Sequence, residues 1–149
     1  MAYALQLICL CLVLIGTAVG ASPELPAISH AYLDSRGYPM LEITNRSPKS
    51  VSYSGYSAAN LLFTIELLKE GKWVNADPGW CGNDVEFFEL KPGSSTTVIL
   101  LALEEADQPG NTIRLGFRFL MGAESEWTEK TPFYFAWSPP ITFPLKPKS

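Results

Sequence analysis

From Ile28 onward, apolar and polar residues alternate in short runs separated by turn clusters, the period-two signature of half-buried strands. Ile28 to Leu33 predicts a first strand, ended by Asp34-Ser35-Arg36-Gly37. Tyr38 to Thr44 follows, with Leu41 and Ile43 on one face and Glu42 and Thr44 on the other, and Asn45-Arg46-Ser47-Pro48 stops it. Val51 to Ser57 alternates Val and Tyr with Ser. Leu62 to Lys69 predicts a long strand joined to Trp73-Val74 through Glu70-Gly71-Lys72. Leu61, Ile65 and Leu68 also fit helical spacing, but the segment is short, carries Phe, Thr and Ile, and ends in a hairpin-like turn.

Val85 to Leu90 leads into Lys91-Pro92-Gly93-Ser94, whose Pro-Gly pair suits a type II turn. Thr96 to Leu103 is apolar on both faces, the pattern of a central strand covered twice. Thr112 to Leu120 places Leu115, Phe117 and Phe119 on one face and Arg114 and Arg118 on the other. Phe133 to Trp137 closes the set with Phe133, Phe135 and Trp137 aligned. About seven to nine strands with turns at short intervals predict an all-β fold, an antiparallel sandwich or barrel.

The first residues follow a different pattern. From Ala4 to Val19 the chain is apolar apart from Gln6 and Thr17, then ends in small residues. This reads as a secretory signal over 1–21, cut between Ala21 and Ser22 or, in the alternative, between Gly20 and Ala21. The leader has no Lys or Arg, and its run approaches the roughly 18–20 residues that span a bilayer. A retained N-terminal membrane anchor is therefore the minor alternative to a secreted or periplasmic protein, which has no transmembrane span once the leader is gone. Residues 22–27 read as a spacer, 28–138 as the sandwich, and 139–149 as a Pro-rich C-terminal tail, extended and outside the core.

Removing the leader takes away Cys9 and Cys11 and leaves Cys81 alone among three cysteines. No internal disulfide is then available, so stability must come from core burial, which a chain of roughly 130 residues can supply. The sequence leaves open a monomer or a Cys81-linked dimer. Eleven Lys and Arg against fifteen Asp and Glu, evenly scattered, carry no basic footprint for nucleic acid.

Catalytic patterns are missing. His30 is the sole histidine, and nothing in the spacing joins it to Cys81 and an orienting group. There is no G-x-S-x-G elbow, no Gly-rich phosphate loop and no Cys/His zinc spacing. Glu86 with Glu89, and Glu104 with Glu105, fall at strand ends or loops, where carboxylates are solvated. No catalytic residue, cofactor or metal is expected. Asn45-Arg46-Ser47 is a formal glycosylation sequon, but its better use is as the turn that ends a strand.

The distinctive segment is the loop from Asn75 to Asp84. Trp80 and Cys81 lie between Gly79 and Gly82, after Pro78. Its plain reading is an ordered crossover whose Trp80 plugs the core. Its functional reading makes Pro78, Gly79, Trp80, Cys81 and Gly82 a display loop with Trp80 as anchor. The oxygens of Asn75, Asp77, Asn83 and Asp84 lack the spacing of a calcium loop.

Several motifs in order (Asn45-Arg46-Ser47, Gly71-Lys72-Trp73, Gly79-Trp80-Cys81-Gly82, Leu90-Lys91-Pro92-Gly93-Ser94 and Arg114-Leu115-Gly116-Phe117-Arg118-Phe119) are similar to a pattern in small uncharacterised secreted bacterial proteins. The resemblance spans nearly all of the mature chain and implies an immunoglobulin-like β-sandwich, with no activity to carry over. Lacking the inter-sheet cysteine pair of antibody domains, such a sandwich would rest on packing around Trp and Phe. The expectation is an exported, non-enzymatic binding or interaction module whose partner is a protein or envelope component. The alternatives are a structural subunit or spacer of an envelope assembly, and a loop-display protein like the immunoglobulin-like protease inhibitors.

Overall fold

The computed structural model describes residues 23–76, 83–101 and 103–146. They form an all-β sandwich of two antiparallel sheets. The strands are β1 (Ala27–Ile28), β2 (Tyr32–Leu33), β3 (Pro39–Thr44), β4 (Val51–Ser57), β5 (Asn60–Leu61), β6 (Phe63–Lys69), β7 (Lys72–Ala76), β8 (Glu86–Leu90), β9 (Ser95–Ile99), β10 (Thr112–Met121), β11 (Phe133–Trp137) and β12 (Ile141–Thr142). Twelve segments exceed the seven to nine expected because three runs are interrupted: β1 with β2, β5 with β6, and β11 with β12.

Two of those interruptions share one mechanism. Ser29 N–H donates to the Glu42 carbonyl at 2.9 Å, while the Ser29 hydroxyl, not its carbonyl, accepts the Glu42 N–H at 2.8 Å. Ser138 N–H likewise donates to the Leu115 carbonyl at 2.8 Å, and its hydroxyl accepts the Leu115 N–H at 2.9 Å. Each serine hydroxyl then donates to the next carbonyl, of His30 or Pro139. The side chain stands in for a ladder acceptor, and the register slips by one residue beyond it.

The smaller sheet is β1/β2, β3 and β9, with β3 central. The larger sheet is organised around β10. One edge of β10 carries β11 and β12; the other carries β6 along its first half and β4 along its second. β7 extends β6, and β8 extends β4. The order β11, β10, β6, β7 is that of the G, F, C and C′ strands of an immunoglobulin-type sheet. Inward-facing Leu41, Ile43, Val98, Val51, Ile65, Leu115, Phe117 and Phe119 fill the space between the sheets. Phe63 and Phe117 meet there in a tilted pair, ring centres 5.8 Å apart.

Three expectations are corrected. Thr96 to Leu103 is not one central strand. β9 ends at Ile99 and pairs with β3 alone; Leu101 then bonds back to Ile99 and is exposed. The apolar run continues because Leu100 and Leu103, beyond the end of the strand, are buried in the core. The Pro-rich tail is not outside the core: Ile141 and Phe143 are buried, and β12 pairs with the start of β10. Prolines 139, 140 and 144 flank β12 on a sheet edge, where a missing N–H is tolerated. The spacer also joins the fold, since Leu25 packs on the core and Ala27 pairs with Thr44.

The two turns read from the sequence are formed. Gly93 has φ +73° and Ser94 N–H bonds to the Lys91 carbonyl. Glu70 and Gly71 both have positive φ, closing the β6–β7 hairpin with the twist that matches its strands. Among the described residues no helix is long and apolar enough to cross a membrane.

Candidate functional site

The predicted display loop, Pro78, Gly79, Trp80, Cys81 and Gly82, lies outside the described residues, as do the cleavage positions Gly20, Ala21 and Ser22. His30 is exposed at the β1–β2 interruption. Strand alternation puts Glu86 and Glu89 on opposite faces of β8, so they form no carboxylate pair. No cluster of three metal-ligating side chains occurs among the described residues.

The sequon is consumed by the fold. Asn45 is fully buried; its Nδ2 donates to the carbonyls of Lys49 and Leu90 at 2.8 and 2.9 Å, and its Oδ1 accepts the Ser47 N–H at 3.0 Å. The Asn45 backbone bonds both ways with the turn before β9, from N–H to the Ser94 carbonyl and from its carbonyl to Gly93 N–H. One side chain ties two turns together, and no amide hydrogen is left for modification of the folded chain.

What the structure brings together instead is the outer face of the larger sheet. β11 presents Phe133, Phe135 and Trp137 to solvent, 47%, 47% and 38% exposed. They are aligned, as their spacing predicts, but point away from the core; Ala136 takes the inward position. The outward side of β10 supplies Arg114, Gly116 and Arg118, the last two opposite Trp137 and Phe135 of β11. The Arg114 guanidinium carbon lies 4.7 Å from the ring centre of Trp73 and 4.3 Å from that of Trp137, sandwiched between them. Its Nε donates to Glu66 Oε2 at 2.6 Å, neutralising the charge. Trp137 and Phe135 are stacked at 6.3 Å, and the Arg118 guanidinium carbon lies 4.1 Å from the Phe133 ring centre.

Gly116 makes this ladder possible. A Cβ there would stand 2.6 Å from Thr64 Oγ1 and 2.8 Å from Trp137 Cζ3, so only glycine lets the indole cross β10 this closely.

Beside the ladder the sheet forks. β6 pairs with β10 as far as Phe117, and β4 takes over from Phe119. A depression of about 150 Å³ opens at that fork, lined by Ser54, Leu62, Thr64, Gly116, Arg118 and Phe135. Arg118 is exposed and has no ion pair among the described residues. Farther across, Phe87 is exposed on β8 and held edge-on by Trp127, ring centres 4.8 Å apart.

Sequence reasoning placed the two arginines on one face and aligned the aromatic residues of β11, but did not join them. The available signal was Arg-x-Gly-x-Arg in a strand followed by an aromatic at every second position of the next.

Fold and face together define a small two-sheet β-sandwich that exposes an aromatic and arginine ladder over its larger sheet. The chain matches no protein-family model, no curated protein and no solved structure.

Proposed function

We propose that this chain is an exported, non-enzymatic binding module that docks a macromolecular partner on the outer face of its larger sheet. One observation carries the reading. Five of the large hydrophobic side chains exposed among the described residues, Leu68, Phe87, Phe133, Phe135 and Trp137, share that single face, together with Arg118, which has no ion pair among those residues. Contiguous exposed aromatics with arginine are the composition of interface cores, and scattered singly they would need no explanation. The ladder is also pre-organised: Arg114 and Gly116 fix the rings, so docking would cost little side-chain entropy.

Carbene footprinting tests it. The purified chain in dilute solution should label strongly at Phe133, Phe135 and Trp137, and these positions should become protected in the native extracellular or envelope fraction. Equal labelling in both settings overturns the proposal.

A further inference from the structure

We infer that the partner on this face is a second copy of the same chain, related by a two-fold axis near Ser54; the inference rests on the docking face proposed above. A two-fold interface uses one patch twice, so that patch must carry both halves of every contact. This one does. Arg118 lies opposite Phe135 on β11; Ser54 on β4 follows in the same row, since Tyr53 pairs with Phe119, and Ser54 in turn lies opposite Phe87 on β8. The row therefore runs Phe135, Arg118, Ser54, Phe87, with a small residue between a depression and a projecting ring.

Adjacent strands are about 4.8 Å apart, so Phe87 stands roughly 10 Å from the row position of Arg118. Turning a second copy about Ser54 sets each Phe87 over the other's depression, against Phe135, Leu62 and the Arg118 guanidinium. Charge is arranged in the same sense. Glu89, two residues along β8 from Phe87 and on the same face, is exposed and has no ion pair among the described residues. Within one chain the two form no ion pair. Across the axis Arg118 of each copy meets Glu89 of the other. An unrelated acidic partner would use Arg118 alone and leave Phe87 and Glu89 without a role. The dimer needs no bond through Cys81.

Sedimentation velocity of the purified chain over a concentration series, with thiol reductant present, tests the inference. The expected result is a reversible rise from monomer to dimer mass. Arg118→Glu and Glu89→Arg should each weaken the dimer by at least about tenfold, and the double charge swap should recover most of the loss. Phe87→Ala should weaken it with an unchanged far-ultraviolet spectrum. A monomer at every concentration, or a dimer indifferent to both charge reversals, overturns the second copy as occupant. A monomer whose ladder is nonetheless protected in the native fraction transfers the face to a different macromolecule. A monomer without that protection removes the docking face as well.

Discussion

β10 and β11 are neighbours, each with large apolar side chains at alternate positions, yet their aromatic rows end in opposite environments. Phe117 and Phe119 are fully buried between the sheets; Phe133 and Phe135 are nearly half exposed. Both rows obey the same period of two. What differs is the companion set. On β10 the alternate positions hold Arg114 and Arg118 on either side of Gly116, and arginine cannot be buried unpaired, so the aromatics go inward. On β11 the alternates are Tyr134 and Ala136, which fit either side, and the face is decided by pairing with β10. Alternation thus fixes which residues travel together, while the cost of burying their companions fixes where they go.

The comparison is most directly broken by truncating one ring from each row. Phe117→Ala should cost about 3–5 kcal/mol in urea unfolding, the range for an aromatic removed from a packed core. Phe135→Ala should cost under about 1 kcal/mol, since water already reaches the ring. Comparable losses would show that the ladder is part of the core.

A substitution between the rows sharpens the contrast. Gly116→Val forces a side chain into the space of Thr64 and Trp137 and should destabilise by about 1–3 kcal/mol. It should also shift Trp fluorescence to the red as the indole lifts from the strand, whereas an unchanged spectrum would mean the ring does not lie on Gly116. Arg114→Ala, measured by the same unfolding experiment, should cost about 1–2 kcal/mol: it removes the cation between Trp73 and Trp137 and leaves Glu66 unpaired. Arg114→Lys should recover only part of this, because an ammonium cannot stack flat between two indoles.

The smallest effect lies away from both rows. The side chain of Asp34 accepts backbone N–H bonds from Arg36 and Tyr38. These, led by the bond from Tyr38, hold its carboxyl below the ordinary carboxylate value. A folded value below the unfolded one contributes stability above the ordinary range and loses it as pH falls through the folded value. Asp34→Asn should therefore reduce the acid sensitivity of the 34–38 turn, seen by amide exchange, while leaving the ladder untouched.

Much of the fold was legible because it rests on local rules. The breaks at Asn45–Pro48, Glu70–Gly71 and Pro92–Gly93 end or join strands where turn chemistry requires. The run Thr96 to Leu103 misled because apolar residues buried beyond the end of a strand have the same composition as a central strand. The tail misled because four prolines signal an extended segment without showing that Ile141 and Phe143 are aimed into the core. The candidate site was legible only in parts. Arg114 and Arg118 were seen together, but no local rule says that Trp73, forty residues earlier, stacks on one of them.

The sequence by itself determined the all-β class, the positions of most strands and turns, and the alternation that sorts each strand into two sets. Those follow from backbone sterics and the period of side chains along a strand. Only the tertiary structure decided which set of β11 meets solvent, how Asn45 is used, and that the sheet forks at Arg118. Those depend on which strands lie side by side, and pairing between distant segments is written in no single stretch of chain. The aromatic residues expected to support the fold therefore divided, one row holding the sheets together and the other left on the surface.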